Sequence, residues 1–291
     1  MSVEKGADAT LACPPLDEYG AAPPPYAATA GTDGADAPAY SWPAEAGRVA
    51  GASGRFPAAL NAYFPKTGLS RTLHLGQRAD APLLAVTTHS GLTSRPLLEL
   101  RARAGGPVIA SADNESRWGC GRTSIVKVVG GGSLAAAAEG AQADEFPAPP
   151  LREQTVVMRQ RASWTHLSYG FSAAVGRGKD LRPEDFEWRR SRGPEVRQVN
   201  GGAGLSGWKL VRLAAGHRSA EGGKGAAGEA SGAGEVVAVW SHNASASMTK
   251  VLRFQLVGSA AAGLLGDEFA LVAIMTALKV WYAEFTGAAA S

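Results

Sequence analysis

The segment from Asp267 to about Phe285 constrains this chain more than any other. Phe269, Leu271, Val272, Ile274, Met275, Leu278, Val280, Trp281 and Tyr282 put apolar groups on nearly every side of a helical projection. Gly266-Asp267-Glu268 marks its start, because negative charge in a first turn complements the helix dipole. A helix apolar all round lies inside a protein core or inside a membrane. The apolar run is about 14 residues with Lys279 excused, against the ~20 needed to span a bilayer. Asp267-Glu268 blocks extension into the Ala/Gly/Leu stretch before it. The balance favours a core helix over a tail anchor, so the rest of the chain has to surround it.

What precedes the helix reads as short strands. The runs are Thr72–Leu75, Leu83–Thr88, Pro96–Arg101, Val108–Ala112, Thr123–Val129, Gln154–Arg161, Thr165–Val175, Phe186–Arg190, Glu195–Val199, Trp208–Leu213, Val236–Ser241 and Thr249–Val257. Alternation is clearest where Phe186 and Trp188 oppose Glu187 and Arg189, and where Leu252, Phe254 and Leu256 oppose Arg253 and Gln255. Ala238 and Trp240 alternate with Val237 and Val239, an apolar set on both faces. Period 2 with Gly, Pro and Asn punctuation predicts an antiparallel sandwich or barrel.

Hydrophobic residues make up 45% of the 291, enough for a sizeable core, but the 37 glycines and 17 prolines are unevenly placed. Residues 1–60 are rich in Ala, Pro, Gly and Asp without a sustained period, and are expected to be disordered. Two further Gly/Ala/Pro-rich stretches, 130–150 and 214–234, are flanked by strands and read as long surface loops. The expected domain is 61–286, with 287–291 as a tail. Cys13 and Cys120 sit in an arm and a Gly-rich turn, which disfavours a structural disulfide and suggests a reducing compartment. With no apolar run after the N-terminal charges, no signal peptide is expected, and the sequons at Asn114 and Asn243 are read as accidental.

Catalytic motifs are weak. Gly202-Ala203-Gly204-Leu205-Ser206-Gly207 fits G-x-G-x-x-G, but the strand pattern of Trp208–Leu213 follows where a dinucleotide site needs a helix. His74, His89, His166, His217 and His242 lack paired metal spacing, and no Cys pair completes a site. Ser70, Ser90 and Cys120 have no base assigned to them by spacing. The expectation is a non-enzyme with neither cofactor nor metal.

A dozen strands followed by one wholly apolar helix resembles the tubby C-terminal-like superfamily, of tubby, LURP-one-related and phospholipid scramblase type. More closely it resembles uncharacterised fungal members of the LURP-one-related kind. The resemblance rests on Phe64–Lys66, Gly68–Gly76, Ala85–Ser90, Phe186–Arg189, Gly207–Leu213, Glu235–Trp240 and the helix, and covers roughly residues 64–285. It implies a mainly β domain: a closed antiparallel barrel of about 12 strands around one buried hydrophobic C-terminal helix. It transfers no site residues, because the phosphoinositide-binding positions of tubby domains have no alignable motif in this chain.

Charge supplies the functional expectation. Lys and Arg outnumber Asp and Glu by 29 to 26 overall, yet residues 151–218 alone hold 13 basic and 6 acidic residues, a net +7. Arg189, Arg190, Arg192, Arg197, Lys209 and Arg212 fall on neighbouring strands and can share one rim, with Lys179 and Arg182 in the turn before. Guanidinium groups bind phosphate bidentately, so the first expectation is a module that contacts anionic phospholipid or phosphoinositide headgroups peripherally from the cytoplasm. The bland reading is a solvated exterior where arginine stems cover apolar surface. Nucleic acid is disfavoured, since no aromatic ladder interleaves with the arginines. The second expectation is an adaptor: Pro23, Pro24, Pro25 and Tyr26 form a P-P-x-Y sequence that suits a WW-domain groove.

Overall fold

The computed structural model describes residues 56–65, 71–91, 93–116, 122–130, 152–162, 166–176, 180–199, 206–214, 234–243 and 249–287. Twelve strands run in chain order: β1 (Ala59–Tyr63), β2 (Thr72–Gly76), β3 (Leu84–Thr88), β4 (Leu98–Arg101), β5 (Val108–Asn114) and β6 (Thr123–Gly130) come first. They are followed by β7 (Arg152–Ala162), β8 (Leu167–Val175), β9 (Arg182–Ser191), β10 (Gly207–Arg212), β11 (Glu235–His242) and β12 (Lys250–Leu256). Each strand pairs antiparallel with its sequence neighbour, and β1 pairs with β12, so the sheet closes into a barrel. Helix α1 (Pro194–Val199) lies between β9 and β10, while α2 (Gly258–Ala261) and α3 (Asp267–Phe285) follow β12.

A barrel of this many strands leaves a lumen wider than its own side chains can fill. Here α3 fills it. Fourteen of its nineteen residues are buried, including Phe269, Ile274, Met275, Leu278 and Trp281. Inward positions of the strands (Leu60, Leu73, Val86, Leu100, Val126, Val156, Phe186, Trp188, Leu210, Trp240 and Phe254) join the helix in one core. The alternation expected for β9 and β12 therefore holds, with Phe186 and Trp188, and Leu252, Phe254 and Leu256, all buried.

Two strand assignments differ from the sequence reading, and they cancel in the strand count. Ala59–Tyr63 is a strand, although it directly follows the Ala/Pro-rich arm. Glu195–Val199, read as a strand, belongs to α1. Pro194 and Glu195 in the first turn suit a helix start, and Val196 and Val199, three residues apart, are its buried face. The helix packs on the outside of β10, β11 and β12. A Cβ at outward-facing Gly207 would meet Val196 Cγ1 at 2.7 Å and the Trp240 carbonyl oxygen closer still. That cover explains why β11 is apolar on both faces, with Val239 and Ser241 buried beneath it.

The two ends of the barrel follow from the helix direction. Gly176 N–H donates to the Leu265 carbonyl at 3.1 Å, which places the end of β8 at the start of α3. Gly266, at φ 88°, enters the helix against the Gly176 carbonyl, where a Cβ would come within 2.5 Å. Trp208 Nε1 donates to Glu284 at 3.1 Å, which places the start of β10 where α3 finishes. Strands alternate in direction, so every connection belongs to one end or the other.

Candidate binding surface at one end of the barrel

The six basic residues expected to share a rim are spread over three places. Arg190, Arg192 and Arg197 lie at or beside the end where α3 finishes. Arg189 and Lys209 face outward on the wall, directly opposite each other on β9 and β10. Arg212 is at the far end of β10, where α3 begins. Four of the six have carboxylate partners. Arg189 Nε donates to Glu187 Oε2 at 2.7 Å, and Lys209 Nζ sits 3.3 Å from Glu195 Oε1. Arg212 reaches Glu184 Oε1 at 2.8 Å and Glu235 Oε2 at 3.3 Å. Burial opposes ionisation of Glu184, yet Arg212 and Arg182 hold its carboxyl below the usual range; burial likewise opposes Glu195, which Ser191 and Lys209 hold low. Arg190 Nη2 is 3.7 Å from Glu284 Oε1 but keeps 59% of its side chain exposed. Arg192 and Arg197 are exposed and make no ion pair among the described residues. Pro23–Tyr26, Lys179, Ser70, Cys120 and His217, residues 202–205 and most of 130–150 and 214–234 lie outside the described residues.

Barrel geometry shows what the linear sequence concealed. The end where α3 finishes also carries exposed Arg71 before β2, Arg95 between β3 and β4, and Arg122 before β6. Among the described residues at this end, Glu115 is the one exposed carboxylate. The opposite end differs: Asp80, Asp180, Glu184, Glu235, Asp267 and Glu268 cluster there with Arg78, Arg103, Arg182 and Arg212. Several of those arginines are already engaged, as in Arg78–Asp80 at 3.1 Å and Arg182–Glu184 at 2.7 Å. Exposed charge is thus partitioned along the barrel axis. Arg159 and Arg161 on β7, absent from the expected set, border a wall groove of about 470 Å³ with Asp185 and Leu213. The Arg161 guanidinium lies over Gly170, whose missing side chain leaves room for it.

Beneath the arginine-bearing end, one carboxylate organises the barrel mouth. Glu284, on the last turn of α3, accepts from Trp208 Nε1 and lies 2.8 Å from His242 Nε2. Tyr169, Trp208 and Trp240 form a run of rings, with centroid separations of 5.5 and 6.2 Å. Burial pushes the Tyr169 hydroxyl up to about 12, and the Glu284 charge adds to it. Lys279, also on α3, is 5% exposed, and burial lowers its ammonium to about 8, with Asp113 acting in the opposite direction.

Among the described residues, no group of three His, Cys, Asp or Glu side chains is placed to hold a metal ion, and no helix is long and apolar enough to cross a membrane. No family model, curated protein or solved structure matches this chain.

Proposed function

We propose that this chain is a non-catalytic binding module that docks on anionic phospholipid surfaces through the end of the barrel where α3 finishes. The observation that supports this most directly is the axial partition of charge, with exposed Arg71, Arg95, Arg122, Arg190, Arg192 and Arg197 at one end. A tubby C-terminal-like relationship, implied by the strand and helix pattern, is part of the same proposal. Arg189, Lys209 and Arg212 contribute less, because each already faces a carboxylate.

An arginine held near an anionic bilayer contributes about 1 kcal/mol. Replacing Arg190, Arg192 and Arg197 together by Gln therefore removes about 3 kcal/mol, on the order of 100-fold in partitioning. The test is sedimentation of the full chain with phosphatidylserine- or phosphoinositide-containing vesicles at low and physiological salt. The triple variant should lose binding, while Arg103→Gln, exposed at the opposite end, should keep it. Equal binding by the triple variant and the parent would overturn the proposal.

A further inference from the structure

The barrel mouth contains three polar side chains, Lys279, Ser124 and Asn114, for which no hydrogen bond of the ammonium, the hydroxyl or the amide oxygen is seen among the described residues, and of these the Asn114 Oδ1 atom is wholly enclosed. Lys279 is 5% exposed and makes no hydrogen bond or ion pair with any described residue. Ser124 is 4% exposed, and its hydroxyl makes no hydrogen bond among the described residues. Asn114 Oδ1 is buried and accepts no hydrogen bond among the described residues. Buried polar groups in folded proteins almost always find partners, whereas among the described residues the Lys279 ammonium has only the electrostatic influence of Asp113. The rest of α3 obeys that rule: Thr276 serves Trp188 Nε1 and the Val272 carbonyl, and Tyr282 donates to the His89 carbonyl at 3.2 Å.

The three groups belong to one place. Asn114 and Ser124 face each other across β5 and β6, and continue the inward face formed by Ala110, Ala112, Val126 and Val128. They end that face where α3 finishes. On α3, Thr276 points to β9 and Tyr282 to the strand end at His89. Steps of three residues turn a helix by about −60° each, so Lys279 points between them, toward β5 and β6. The helix packs on both of those strands, and the Asp113 carboxylate of β5 acts on the Lys279 ammonium.

We propose that Lys279, Ser124 and Asn114 form an anion-receiving site inside the mouth, built for a phosphate monoester. The ammonium and the hydroxyl donate to the oxyanion. The Asn114 carbonyl accepts from a hydroxyl that the ligand itself supplies, either on phosphorus or on the adjoining alcohol. A fully deprotonated anion such as sulfate satisfies only the two donors, so the third group makes the selection. The site stands apart from docking of the barrel end, because its partners are inside the barrel and its ligand need not be membrane-borne.

The test is thermal denaturation of the full chain titrated with glycerol 3-phosphate, with inorganic phosphate and with sulfate, at constant ionic strength. A parallel arm uses dihexanoyl phosphatidic acid, whose tighter or weaker binding tells a lipid-borne monoester from a soluble one. The expected result is a saturable rise in Tm with the monoesters that exceeds the rise with sulfate. Lys279→Met should weaken monoester binding at least tenfold, and Ser124→Ala several-fold. An unchanged monoester response in Lys279→Met, or an equal response of the parent to sulfate, would refute the site.

Discussion

Replacing Lys279 by Met probes the interior of this barrel by a measurement that needs no ligand. Burial brings the ammonium from 10.5 down to about 8. The unfolded chain therefore holds a proton on this group that the native state releases between those two values, and stability must rise with pH across that window. At pH 7 both states are protonated, and the fall from 10.5 to about 8 corresponds to roughly 3 kcal/mol of lost stability. Raising the pH from 7 to 9.5 returns about 2 kcal/mol of it. Above pH 10 the buried Tyr169, pushed up to about 12, imposes the opposite slope, which sets the upper limit of a clean measurement. Methionine keeps the unbranched stem and removes the charge. The assay is urea unfolding of both proteins in phosphate-free buffer at intervals from pH 7 to 9.5. The variant should be more stable at pH 7 by up to about 3 kcal/mol, with the difference shrinking by about 2 kcal/mol by pH 9.5. Parallel pH profiles, or a variant less stable than the parent at pH 7, would refute a strained buried ammonium.

Two other substitutions examine how the helix is held. Thr276→Val keeps the shape of the side chain but strands Trp188 Nε1, which donates to Thr276 Oγ1 at 3.0 Å in a fully buried setting; a loss of about 1–3 kcal/mol is expected in urea unfolding. Leu278→Asp places an unpaired carboxylate at a position with no exposure, a cost of several kcal/mol against a typical total of ~5–15. That protein should show no cooperative melt by circular dichroism, and a sharp transition near the parent's would contradict a helix-filled barrel.

The helix was the most legible element of the chain, because an apolar surface on all sides admits few environments, and its start follows from Gly266-Asp267-Glu268. Strands with an aromatic inward stripe, such as Phe186-Glu187-Trp188, were equally plain. Ala59–Tyr63 was hidden because Ala, Leu and Asn carry little strand preference and the strand gains its stability from closing against β12. Glu195–Val199 misled because valines that are both buried in α1 also fit a strand. The candidate surface was half visible. Sequence proximity picked out the arginines of β9 and β10, but their height along the barrel depends on strand direction. Arg190 and Arg212, on adjacent strands, consequently end up at opposite ends. Arg71, Arg95 and Arg122 could be grouped with Arg190 only once the ring order was known.

The closing pair of the ring, β1 with β12, joins segments almost two hundred residues apart, whereas every other pairing is between consecutive strands. Eleven pairings can therefore zip locally as the chain lengthens, but the twelfth cannot be useful early. A ring that shut before α3 had been synthesised would enclose an empty lumen, and the helix could no longer enter from the side. Assembly is thus ordered by the position of the helix after all the strands. An unclosed sheet has β1 and β12 as free edges, and the nineteen-residue α3 is the element its inner face has to shut around. Wherever that ring is open, its edges and apolar inner face can pair with other chains, so closure on α3 removes both hazards in one step.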